Sequence, residues 1–315
     1  MTDMKKHFAL FAASALTLAQ LTAFSQTSVD ALKNRYESLV NRVGYSGPGV
    51  ELVLDRWEAA SPEDADMLVA RFNFYLDKSA STQVVEKNQA KFMGAKPIIS
   101  LKDSLGRDVN YFQETFYEDS LFARASQAID RAIKLYPDRL DLRFARITSL
   151  IAYEKESPDM ATSALNALID YDGTSHPVWM FGFEPAEDDV FTSGMQEYCA
   201  TFYSIGSPTS LESFRSLSER MLKYHPSSTL ALTNLGTYYQ VARKDSKTAL
   251  KYYNKVLKME PDNYTAIKNC VLLARKDKNV KLEKKYLPML AKYGADETEK
   301  LSAQARLDAL SSKKK

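Results

Sequence analysis

The sequence predicts a mainly α fold: an α-solenoid of stacked helix pairs with an N-terminal helical region and one small β-hairpin. Three observations predict it. A helix-closing block recurs as Ala132-Ile-Lys-Leu-Tyr-Pro-Asp138, Met221-Leu-Lys-Tyr-His-Pro-Ser227 and Val256-Leu-Lys-Met-Glu-Pro-Asp262. Pro226 and Pro261 lie 35 residues apart, the length of one helix-turn-helix repeat. Between them apolar residues recur at spacings of three and four, the stripe of an amphipathic helix. At 315 residues, with 45% hydrophobic and 26% charged residues, the chain has the composition of a folded protein with a sizeable core.

The first 25 residues read apart from the rest. Lys5 and Lys6 precede an apolar run from Phe8 to Ala19, and the small-residue segment Ala23-Phe24-Ser25 comes just before Gln26. This is the anatomy of a secretory signal peptide over 1–25, with cleavage after Ser25 and a mature chain that is periplasmic or secreted. The apolar run is short of the roughly 20 residues that cross a bilayer, so no stable membrane insertion is expected after cleavage.

Residues 26–94 are expected to be helical. Val29, Leu32, Tyr36, Leu39 and Val43 keep helical spacing, and Tyr45-Ser-Gly-Pro-Gly49 breaks that helix. A second helix runs from Val50 to Ala59, and Ser61-Pro62-Glu63-Asp64 restarts a third with Ser61 as the cap and Pro62 at the first helical position. Over 95–113 the period changes. Ile98, Ile99 and Leu101, then Asp103-Ser-Leu-Gly106, then Val109, Tyr111 and Phe112 read as a β-hairpin.

Helix pairs are expected over 114–293. Each corner block ends in Lys, which suits a helix C-terminus, and in Pro, which forces the preceding residue out of the helix. Ala125, Ile129 and Ala132 lead to the corner at Pro137, followed by Leu140–Tyr153 with Met160–Tyr171 and by Phe191–Ile205 with Leu211–Tyr224. After Pro226, Leu232, Leu235, Gly236 and Tyr239 share one helix face, and Ala249, Tyr253 and Val256 share a face of the next. Gly236 and Ala249 are small where the two helices approach. Tyr264–Arg275 and Val280–Lys292 follow, with Pro288 expected to kink or shorten the latter, and 294–315 reads as a capping helix with a basic tail.

The unit from Pro226 to Pro261, with its Leu235-Gly236, Tyr239, Ala249, Tyr253 and Pro261, resembles the tetratricopeptide repeat family. The resemblance extends loosely over 114–293, and the leading region resembles that of exported Gram-negative proteins of this type whose role is unassigned. It implies a superhelix whose first helices face a concave surface that binds a protein or peptide partner. The groove positions are then Leu230, Thr233, Thr237 and Gln240 in one unit and Thr265, Lys268, Leu272 and Arg275 in the next. The Lys and Asn clamp of chaperone-binding members is not reproduced, since only Lys268 and Arg275 are basic.

The chemistry of enzymes finds little raw material. Past the leader only His176 and His225 remain, so histidine triads and two-histidine zinc sites are not expected, and no metal or cofactor is implied. Cys199 and Cys270 lie on apolar faces of separate helices and read as buried free thiols. The formal charge is only +2, with acids and bases mixed along the chain, so no nucleic-acid partner is expected. The alternative to a non-catalytic scaffold is a small-ligand receptor or enzyme on the irregular stretch 170–189. It gathers His176, Trp179, Phe181 and Phe183 with Asp170, Asp172, Glu184, Glu187, Asp188 and Asp189.

Overall fold

The computed structural model describes residues 28–312. The expected leader and its cleavage point after Ser25 lie outside the described residues, as does the Lys313–Lys315 tail. The chain forms two compact units, which are taken in turn.

The first unit comprises 28–88, Ile98–Tyr153 and Trp179–Pro185. Its helices are α1 (28–43), α2 (Val50–Ala60), α3 (Ala65–Ser79), α4 (Asp119–Leu135) and α5 (Leu140–Glu154). Trp57, Met67, Leu68, Phe74 and Ile129 are fully buried in one apolar cluster. The start of α3 departs from the sequence reading. Ser61 closes α2 through its N–H to Trp57 O, and the cap is Asp64, whose carboxylate accepts from the N–H groups of Asp66 and Met67 and from Trp57 Nε1 at 3.1 Å. A carboxylate that serves two helix N–H groups and a buried indole displaces a serine cap three residues earlier.

The expected hairpin is present as β2 (Ile99–Lys102) and β3 (Asp108–Tyr117), closed by Asp103, whose Oδ1 accepts from Leu105 N and Arg107 N at 2.8 Å. Gly106 takes the left-handed conformation that the turn requires, φ +77. A further strand, β1 (Ala80–Lys87), lies in the segment read as helical and pairs antiparallel with β3, giving the order β1-β3-β2. Asn110, Phe112 and Glu114 of β3 point to the buried face. A two-residue ladder, β4 (Met180–Phe181) with β5 (Glu184–Pro185), turns at Gly182.

The second unit comprises Gln89–Pro97, Glu154–Val178 and 186–312. It holds α6 (Asp159–Ser175), α7 (Val190–Ile205), α8 (Pro208–Tyr224), α9 (Thr229–Val241), α10 (Ser246–Met259), α11 (Tyr264–Lys276), α12 (Val280–Tyr293) and α13 (Glu297–Ser312). From α7 onward each helix packs on the next, and α6 also touches α8, as α9 touches α11. Side-chain bonds join even-numbered neighbours in pairs: Thr162 of α6 to Ser213 of α8 at 2.7 Å, and Tyr286 of α12 to Asn254 of α10 at 2.7 Å. Others stitch the odd-numbered ones into a second layer: Asn234 to Gln196 at 2.9 Å, and Lys268 to Glu299 at 3.2 Å. This is the two-layer stack of an α-solenoid.

The recurring block makes one repeated corner, seen once in the first unit and twice in the second. Tyr136, His225 and Glu260 have φ/ψ of −127/67, −122/68 and −129/85. Each returns its N–H to the carbonyl four residues back, and its own carbonyl accepts from Arg139, Ser228 or Asn263 at 3.0–3.1 Å. Ser228 and Asn263 then cap α9 and α11. Contrary to expectation, Pro288 does not shorten α12, which runs on to Tyr293. The proline is exposed, while buried Tyr286, Leu287 and Leu290 fix the helix on both sides of it. Cys199 and Cys270 are free and buried, and burial pushes both thiols up to about 12.

Candidate polypeptide-binding surface

The first helices of the best repeat units are α9 and α11, and their predicted groove residues divide into three groups. Thr233 is buried, because α9 is enclosed: 231–236 are all buried between neighbouring helices. It acts as a packing residue and not as a groove surface. Thr237 and Gln240 hold the next helix in place. The Tyr253 hydroxyl donates to Gln240 Oε1 at 2.8 Å and lies 3.3 Å from Thr237 Oγ1. Burial raises the Tyr253 phenol well above its usual range.

The two basic positions are also engaged. Lys268 donates to the Tyr264 hydroxyl at 2.6 Å and pairs with Glu299 of α13, contacts that raise its ammonium pKa in that order. Arg275 pairs at 2.9 Å with Glu283, which also accepts two bonds from Arg306. Glu283 is 2% exposed, and the bonds from Arg306 and then Arg275 hold its carboxyl below the usual range in spite of burial. Leu230, Leu272 and Thr265 are exposed.

Beside Leu230 is a hollow that the sequence reading missed. Met195, Cys199 and Met221 line it with Leu230 and Ala231, and Gln196 and Asn234 lie at its edge. The hollow is shallow, with about 20 Å³ of enclosed space. The two amides exchange hydrogen bonds at 2.9 and 3.4 Å. Such a site has an adaptable apolar floor of two methionines beside an amide pair whose donors and acceptors suit a peptide main chain. Thr192 and Ser228 complete the rim. The sequence signal for it was Leu230, an exposed apolar residue two positions past a helix cap. The contribution of α7 came from 31 to 38 residues earlier in the chain.

The stretch 170–189 is less irregular than expected. Asp170 and Asp172 belong to the last turns of α6, which ends at His176 with φ +46. Asp170 accepts from the Tyr224 hydroxyl at 2.8 Å and pairs with Arg220, while Asp172 lies 3.5 Å from His225. The helix expected over Phe191–Ile205 begins at Val190, after Glu184 and Pro185 pair with β4. His176 is exposed in the second unit. In the first unit, the Arg143 guanidinium stands 5.8 Å from the Trp179 ring and that of Arg139 5.0 Å from the Phe183 ring. Phe181 and Phe183 remain 53% and 65% exposed. Glu184, Glu187, Asp188 and Asp189 are exposed, and among the described residues no group of three or more His, Cys, Asp or Glu is placed to hold a metal ion.

No family model matches the sequence, and no curated protein matches it. Among solved structures the chain is similar to PilW, described as a widely conserved type IV pilus biogenesis factor. The identity is 10% and the TM-score 0.36, over 88% of this chain and 98% of that one. No helix among the described residues is long and apolar enough to cross a membrane.

Proposed function

We propose that this chain is a non-catalytic scaffold of the cell envelope that binds an extended polypeptide along the odd-numbered helices of its second unit, α7 to α13. An apolar side chain of the partner rests over the shallow hollow between α7 and α9, against Leu230. The hollow is the observation that carries this reading, because it joins an exposed Leu230, an apolar floor and a hydrogen-bonding amide pair in one place. The leader expected from the sequence over 1–25 supports the cellular setting. Lys268 and Arg275 take a supporting part, setting the spacing of α11, α12 and α13 through Glu299 and Glu283. An enzyme built on His176 and its neighbouring acids is not adopted, since Asp170 and Asp172 are engaged by Tyr224, Arg220 and His225.

A photo-cross-linking residue at Leu230, used in the native compartment, should recover one polypeptide reproducibly, and Met195→Glu should abolish the product. An identical product from a probe at exposed Arg131 of the first unit, or a product that survives Met195→Glu, would remove the hollow as the site.

A further inference from the structure

The near-neutral composition conceals a segregation of charge on the other layer. α10, with sequence SKTALKYYNKVLKM, holds four lysines and no acid. α12, VKLEKKYLPMLAKY, holds four lysines and a single acid, Glu283, which is buried and bonded to two arginines. On α10 the buried residues Ala249, Tyr253 and Val256 define the inward side, and Lys247, Lys251, Lys255 and Lys258 fall opposite to it at 100° per residue. On α12 the same construction from Tyr286, Leu287 and Leu290 puts Lys281, Lys285 and Lys292 outward, with Lys284 at the margin. All are exposed except Lys284, which is half-buried. The two helices are neighbours in one layer, joined by the bond from Tyr286 to Asn254. Each is 14 residues long, roughly 20 Å, and adjacent axes lie about 10 Å apart, so seven exposed lysines share one face with Lys284 at its margin.

We propose that this face docks the protein on an anionic lipid surface. Charge complementarity demands a polyanion, and the residue types select among polyanions. Every cation is lysine, a hydrated point charge on a flexible stem; arginine, which grips one phosphate or carboxylate through a planar fork, is absent from both helices. Seven point charges spread over two neighbouring helices match a plane of many equivalent headgroups better than they match one defined acidic motif. The apolar groups around them are of interfacial kind: Met259 and Val280 are 46% and 47% exposed, and half-buried Tyr252 and Tyr293 lie beneath Lys255 and Lys292. The inference is independent of the hollow on the opposite layer.

The test is vesicle flotation of the full chain at low salt, using phosphatidylcholine vesicles with and without phosphatidylglycerol. The protein should float only with the anionic vesicles, and salt should release it. Each lysine near such a surface contributes about fivefold in affinity, so Lys251→Gln, Lys255→Gln and Lys258→Gln together should weaken binding on the order of a hundredfold. The same change at exposed Lys91, Lys96 and Lys134 should leave it unaltered, and circular dichroism confirms that both variants fold. Absence of flotation with phosphatidylglycerol, or equal loss in both triple variants, overturns the proposal. Tighter binding of a DNA duplex or polyglutamate than of the anionic vesicles at matched charge and salt assigns the face to a soluble polyanion and also overturns it.

Discussion

Replacing Gly236 by alanine tests the packing on which the repeat depends. A Cβ at Gly236 would meet Tyr253 Cε1 in hard overlap, with Cδ1 at 2.7 Å and Cζ at 2.9 Å. The ring has little room to withdraw, since Tyr253 is fully buried and its hydroxyl is held by Gln240 and Thr237. Overpacking a site of this kind costs about 3 kcal/mol, and removing glycine from a helix interior returns about 1 kcal/mol, leaving about 2 kcal/mol of destabilisation. For a unit of this size that lowers the melting temperature by about 4–8 °C. Urea titration followed by tyrosine fluorescence, with amide exchange in α9 and α10 to localise the effect, measures it. A double-mutant cycle with Tyr253→Leu separates overlap from other causes: once the ring is gone, Gly236→Ala should turn stabilising by up to about 1 kcal/mol. If Gly236→Ala is neutral in the parent chain, or costs the same in both backgrounds, the close approach of α9 and α10 is not what the glycine provides.

Other consequences follow from the same geometry. Glu283→Gln removes the buried charge that Arg275 and Arg306 share. Both arginines are nearly half exposed, so the loss should be about 2 kcal/mol, below the full cost of breaking a buried pair, and amide exchange should report loosening of α13. The folded carboxyl titrates below its unfolded value, so its contribution is complete above the unfolded pKa and is lost as the pH falls through the folded one. An acid titration of stability should therefore be shallower in Glu283→Gln than in the parent, and parallel curves would count against the pairing. Asp64→Ala removes a cap and the acceptor for Trp57 Nε1, and should cost about 1–2 kcal/mol with a shift in tryptophan emission; Ser61→Ala should cost far less. Cys199 and Cys270, with thiols near 12, should resist a disulfide-exchange reagent at pH 8 and react only on unfolding, whereas prompt labelling of either would contradict its burial.

Much of the helical architecture was legible because its signals are local. The three corner blocks encode a cap, a turn and a restart within seven residues, so the helix ends at Tyr136, His225 and Glu260 follow from side chains adjacent in sequence. β1 was not legible. Its residues, Ala-Ser-Thr-Gln-Val-Val-Glu-Lys, are mostly polar and exposed, and only the pairing with β3, from Ala80 with Tyr117 to Lys87 with Asn110, makes them a strand. The site suffered from the same dependence on distant partners. A helical wheel puts Thr233 on an outer face of α9, but neighbouring helices cover that face, which a wheel drawn for one helix cannot register. The hollow at Leu230 needs α7, α8 and α9 together, and the lysine face needs α10 beside α12.

These placements bear on where a partner can act without dismantling the stack. Prying Lys268 from Glu299 and Tyr264 would loosen the contact that seats α13 on α11, and moving Arg275 would leave Glu283 with Arg306 alone at a buried position. Leaving a buried charge under-paired is far costlier than a surface ion pair is worth, so a ligand acid would gain little by competing for Arg275. The amide pair of Gln196 and Asn234 differs in kind. Each side chain keeps its own donor and acceptor when the two part, so a strand of peptide could replace both bonds with main-chain partners and leave nothing unsatisfied. Asn234→Ala should therefore weaken a peptide bound at the hollow more than Lys268→Ala does. Fluorescence anisotropy of the cross-linked partner's peptide measures both, and a larger loss from Lys268→Ala would move the binding surface from α7 and α9 to α11.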